Sequence, residues 1–196
     1  MKKLLLNLIF PTLLLLVTAC AGQASTPIVS PSDIEKEEQA VYASFFTNNP
    51  EPVVILQDTS TGFLPSSADE LRQRMDYIAS GLPDASKETL DQYFERNRVT
   101  SQLSPDMQLG VNYILLSADE LSTIMKQPDG WNAFYEKYSP SGYMQLSRVG
   151  FNQTLDQAIV YVGGEPGPMM GSGNYYLMEK KNGQWAIKEQ VLAWVS

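Results

Sequence analysis

Histidine is missing from this 196-residue chain, and cysteine occurs once, at position 20. A single cysteine excludes an intramolecular disulfide. Without histidine there is no thiolate–imidazole zinc site and no triad with imidazole as base. The commonest general base of enzymes that work near neutral pH is gone as well. Basic residues are also few: 14 Lys and Arg stand against 22 Asp and Glu, for a net charge of −8. That balance argues against a nucleic-acid partner and against a basic patch on anionic headgroups. No G-x-S-x-G elbow, no phosphate-binding Gly-Lys-Ser/Thr and no Asp-x-Asp-x-Asp-Gly calcium loop occurs, so no cofactor or metal is implied.

What is present fits one globular domain behind a leader. Hydrophobic residues make up 43% and charged residues 18%, enough for a real core and too apolar for general disorder. Lys2 and Lys3 precede an apolar run over 4–17, which Asn7 and Pro11 break and which is too short for a spanning helix. The run closes on Val17-Thr18-Ala19-Cys20. These residues resemble the lipobox of bacterial lipoproteins: an aliphatic residue, two small ones, then the cysteine that is acylated. The resemblance covers the first 20 residues and implies cleavage after Ala19 and a diacylglycerol thioether on Cys20. It also implies an anchor in the cell membrane or outer membrane, facing periplasm or exterior. Residues 1–19 are then a signal peptide, 20–32 a lipid-anchored tether rich in small residues and proline, and 33–196 the domain.

Along the domain, Pro31 suits the start of a helix, with Ser32 and Glu35 as its expected capping box and Asn48-Asn49-Pro50 as its stop. Ile34, Val41 and Phe45 form its stripe. Residues 52–57 and 111–116 read as two short strands. Helices are expected after Ser67, with Leu71, Met75 and Ile78 as stripe; after Ser86, with Leu90, Tyr93 and Phe94; over 118–126; and over 131–138. The pentapeptide SADEL occurs at 67–71 and again at 117–121, but unlike flanks make two capping boxes a better reading than a duplication.

The last third reads as an antiparallel meander with strands over 143–151, 157–162, 174–179 and 184–194. Asn182-Gly183 is the favoured dipeptide for a two-residue hairpin turn. The expected fold class is therefore α+β: a C-terminal antiparallel meander packed against helices from the first two-thirds. Residues 147–187 resemble the tail of uncharacterised bacterial exported proteins, a resemblance that brings no activity with it.

Candidate sites are few. Residues 163–173 hold five glycines, two prolines and the pair Met169-Met170. Such a loop could present Met169, Met170, Gly171 and Gly173 to a peptide or lipid. Alternatively it is a long connection whose methionines cap the core, and this second reading is favoured because glycine-rich loops are weak signals. The stripe of Trp131, Phe134, Tyr135 and Tyr138 has core-facing spacing. Residues 58–62, DTSTG, read as a turn, since Ser60 has no histidine to activate it. The leading functional expectation is a non-catalytic, lipid-anchored envelope protein binding a partner protein or small ligand. The alternative is a hydrolase of envelope sugar or peptide using two opposed carboxylates.

Overall fold

The structure, a computed structural model, describes residues 30–46, 52–63, 65–138 and 141–196. The leader, Cys20, residues 21–29 of the tether and Asn48–Pro50 lie outside the described residues.

Local signals set most helix boundaries. Helix α1 (Pro31–Ala43) begins at Pro31 as expected, but its capping box lies two residues before the expected one: Ser30 caps it, reciprocally with Asp33. It ends at Ala43, before Asn48. Helices α2 (Ala68–Gly81), α3 (Lys87–Arg96) and α4 (Ala118–Met125) are capped by Ser67, Ser86 and Ser117, each accepting from the amide three residues on. The two SADEL boxes are only half formed. Glu70 turns to Ser66, and Glu120 to Lys137 and Tyr138, rather than back to the caps. Helix α5 (Gly130–Lys137) follows a turn and buries Phe134.

Among the described residues seven strands form one mixed sheet: β1 (Val53–Leu56), β2 (Tyr113–Leu116), β3 (Tyr143–Leu146), β4 (Gly150–Phe151), β5 (Gln157–Glu165), β6 (Ser172–Lys181) and β7 (Gln184–Val195). Their order is β2-β1-β3-β5-β6-β7, with β4 beside β5. The α+β class and the C-terminal meander are as expected. An addition is the parallel pairing of β1 with both β2 and β3. With neighbours on both sides, β1 can be apolar at every position, as VVIL is.

The strand expected over 143–151 is interrupted. At Ser147 the side chain replaces the backbone acceptor, taking the Tyr161 amide at 2.8 Å. Arg148 and Val149 thereby leave the ladder: the Arg148 amide donates to Asn97 Oδ1 at the end of α3, and the Val149 amide to Glu38 of α1. The hairpin β6–β7 turns at Asn182 and Gly183, with φ of 52° and 81° as such a turn requires. Its register holds from the turn to Met178, which pairs with the half-exposed Ile187, and shifts beyond it at Leu177/Met178 and Gly173/Asn174.

Alternation along β5 gives the sheet two cores. Ala158, Val160 and Val162 face α1, with Val41, Tyr42 and Phe46 against them. Ile159 and Tyr161 face the other way, into a cluster with Ile78 of α2, Tyr93 of α3, Tyr175 and Leu177. On that second side, α4 and α5 cover the β1–β3 end through Val54, Leu116, Phe134 and Tyr143. The aromatic stripe of α5 faces this core as expected, and Trp131 stacks on Tyr143 with planes 7° apart. Among the described residues no helix is long and apolar enough to cross a membrane.

Candidate functional site: an amphipathic cleft beside helix α2

Helix α2 is the least buried element of the second layer. Of its stripe Leu71, Met75 and Ile78, only Ile78 is fully buried, and Leu71 is 37% exposed. The rest of that stripe opens into a cleft of about 470 Å³ between α2, α3 and the segment over 59–65. This volume is of the size that holds small organic ligands. Phe63 and Ile78 lie on its inner side, and Phe94 and the exposed Val99 contribute apolar surface from α3 and beyond.

The segment read from sequence as a mere turn builds one wall. Its path is fixed by backbone bonds from the amide of Thr59 to Ser101 O and from that of Ser60 to Leu146 O. Gly62 takes φ +67° there, and a Cβ at that position would strike the ring of Tyr161. Tyr175 locks the wall from the sheet, donating its hydroxyl to Thr61 O at 2.9 Å.

The charges of the cleft divide into paired and unpaired. Asp91 pairs with Lys87 and Glu95 with Arg98, both at the exposed rim. Arg74 is different. Its guanidinium lies 4.2 Å from the centroid of the Phe63 ring and 5.6 Å from that of Tyr77. Arg72, Arg96, Arg98 and Arg148 each reach a carboxylate. Arg74 has no such partner among the described residues. Burial raises the Tyr175 phenol above its ordinary value of 10.0, and the neighbouring Arg74 charge opposes that rise.

Tyr93 also lines the cleft. It is 1% exposed, and among the described residues its hydroxyl is the one buried side-chain polar atom without a hydrogen-bond partner. Burial pushes its pKa far up, the adjacent Tyr175 adding to the rise while Ser147 opposes it.

A second polar cluster is closed. Glu38, 4% exposed, accepts from Arg148 at 2.9 and 2.7 Å, from Arg96 at 3.2 Å and from the Val149 amide at 2.8 Å. Tyr42 beside it donates to Ser147 O at 2.7 Å. With its acceptor positions filled, Glu38 ties α1 to α3 and to the β3–β4 break and has nothing free for proton transfer.

The glycine-rich stretch is shorter as a loop than expected. Strands β5 and β6 pair as far as Gly163 with Gly173 and Gly164 with Ser172, leaving residues 166–171 to turn. A Cβ on Gly173 would lie 2.5 Å from both the Tyr161 hydroxyl and Trp194 Nε1, and one on Gly171 would lie 2.8 Å from the Trp194 ring. These glycines make room for the Trp194–Tyr161 bond of 2.6 Å. Met169 and Met170 do not cap the core: they are 87% and 66% exposed at the loop tip, and Met169 holds φ +54°. They do not line the cleft.

Arg74 and Tyr93 are thus the polar groups that the sequence reading did not assign to a site. For Arg74 a signal existed: with Leu71, Met75 and Ile78 it occupies one helical face, a charge on an apolar stripe. Among the described residues no three His, Cys, Asp or Glu side chains are grouped to hold a metal.

The fold and cleft together define a mixed α+β domain with an amphipathic, open-sided cavity. A scan with protein-family models and comparisons with curated proteins and with solved structures find no match to this chain.

Proposed function

We propose that the chain is a non-catalytic envelope protein, held to a membrane through lipidated Cys20, whose domain binds a small, largely apolar ligand in the cleft beside α2. The observation that carries this reading is the stripe of α2, whose Leu71 and Met75 face a cavity of about 470 Å³ instead of core. Exposed apolar surface in a concave site is stabilised by an occupant that removes it from water.

The carboxylate-hydrolase reading receives no such support. Asp91 and Glu95 stand one turn apart on the same helix and each holds a cation, whereas the chemistry needs two acids facing each other across a cleft.

The test is to denature the purified full chain and analyse the small molecules released. Wild type should yield a discrete species in near-stoichiometric amount. Met75→Trp, which fills the cleft, should lose it at an unchanged thermal midpoint. Wild-type protein that releases nothing and takes up no apolar probe would refute ligand storage. The anchor is tested separately: Cys20→Ser should move the chain out of the membrane fraction.

A second contact is favoured by the exposure of Met169 and Met170 at a loop tip. Adaptable methionines displayed this way suit a partner-protein surface. Replacing both with serine should reduce envelope crosslinks without changing ligand recovery.

A further inference from the structure

We infer that the ligand is a single-chain amphipathic monocarboxylate of fatty-acid type, with its carboxylate on Arg74 and its chain along the α2 stripe. This rests on the ligand-binding reading above and specifies it.

Three observations point to that chemistry. Arg74 is the one arginine of five without a carboxylate partner among the described residues, in a chain of net charge −8 where acids outnumber bases. It stands between Leu71, Met75 and Ile78 on the apolar face of α2, where a guanidinium is desolvated at a cost unless an anion joins it. Its guanidinium carbon lies 4.2 Å from the centroid of the Phe63 ring, a cation–π contact, and a guanidinium fork matches a carboxylate in two parallel bonds.

At the rim Asp91 and Glu95 are paired with Lys87 and Arg98, so Arg74 is the cation of the lining that no carboxylate neutralises among the described residues, and one such cation suits one negative charge on the ligand. The remaining lining, from Leu71, Met75, Ile78, Phe94 and Val99, offers the acyl chain apolar contact and asks nothing of its length beyond what the open side allows.

The experiment uses the full chain in nanodiscs of neutral phosphatidylcholine and two diazirine probes of equal chain length. One probe is a fatty acid and the other the corresponding fatty alcohol. Crosslinked residues are mapped by mass spectrometry for wild type, Arg74→Gln and Arg74→Lys. In wild type the acid should label 59–65 and α2 at least about tenfold more than the alcohol, as expected for a charge-assisted contact away from water. Arg74→Gln should erase that preference while leaving alcohol labelling and the thermal midpoint unchanged, and Arg74→Lys should restore part of it. Equal labelling of the cleft by both probes, indifferent to Arg74, would overturn the carboxylate inference and leave the apolar cleft standing. Labelling that misses the cleft with either probe would sink both. A lysophospholipid probe that outcompetes the fatty acid would overturn the choice of head group.

Discussion

Removing the charge of Glu38 tests the reading of the polar cluster as the clamp between α1, α3 and the β3–β4 break. Glu38→Gln keeps the shape and one acceptor oxygen, but leaves the guanidinia of Arg96 and Arg148 facing each other with no counter-charge. Their side chains are 19% and 30% exposed, so water screens them only in part. Breaking one side of a buried pair costs about 3–5 kcal/mol. The partial exposure of the arginines places the Gln variant near the lower end, at about 3 kcal/mol, and Glu38→Ala higher because it also orphans the Val149 amide. For a domain of this length, about 3 kcal/mol corresponds to roughly 6–12 °C in thermal midpoint. The assay is equilibrium urea denaturation of the full chain, followed by far-UV circular dichroism and tryptophan fluorescence. The midpoint should fall at an unchanged slope. Arg98→Gln breaks the exposed pair with Glu95 (69% and 65% exposed) and should stay within about 0.5 kcal/mol of wild type. If Glu38→Gln also stays within about 1 kcal/mol, the cluster behaves as solvated surface charge and its role as a clamp is refuted.

Tyr93→Phe deletes a buried hydroxyl that has no partner, so it should be neutral or raise the thermal midpoint. Tyr42→Phe loses a bond to Ser147 O and should cost about 1 kcal/mol; the reverse order would contradict the hydrogen-bond assignment. Burial raises the phenols of Tyr42, Tyr93 and Tyr175, and pushes that of Tyr161 up to about 12. The stability they contribute is complete below the unfolded-state value near 10 and is lost as pH climbs through the folded-state values. Absorbance titration of the ten tyrosines should therefore be biphasic, the second phase coinciding with loss of the tertiary signal; a single phase near pH 10 would show the buried rings to be open to water. Gly150→Ala places a methyl against the Tyr93 backbone where α3 crosses β4, and should lower stability by about 1–3 kcal/mol, read by the same urea midpoint. An unchanged midpoint would mean that α3 can lift off the sheet freely.

What the sequence made legible is what short-range chemistry decides. Ser67, Ser86 and Ser117 cap helices because a side chain meets an amide three residues away, and Asn182-Gly183 turns because both residues accept positive φ. The parallel pairing of Val53 with Tyr113 depends on chain far away, and nothing local encodes its register. The strand break at 147–149 was invisible for a different reason: serine inside a strand is unremarkable until its hydroxyl is seen taking the Tyr161 amide. The glycines of 163–173 were over-read as loop because the Tyr161 and Trp194 rings that need the space lie elsewhere in the chain. Glu38 and Arg74 share one overlooked mark, a charge on an apolar helical stripe. The first is answered by arginines from two other elements, and the second meets no carboxylate among the described residues. That difference separates a structural clamp from the proposed site, and only the assembled chain displays it.

Strand β5 sets the order in which this molecule can come into being. Both faces of β5 are walls of a core, and β5 spans Gln157–Glu165 in a chain of 196 residues. Until the ribosome has passed that point, α1 and α2 have no sheet to lie on, and the parallel β1–β2 pair lacks its link through β3 to the meander. The nascent chain can pair β1 with β2 and β3 under α4 and α5 before then, but closing the cores on the two faces of β5 depends on contacts distant in sequence, which form slowly. If residues 1–19 act as the leader proposed above, late closure around β5 leaves the chain open long enough to be handed to a translocation channel.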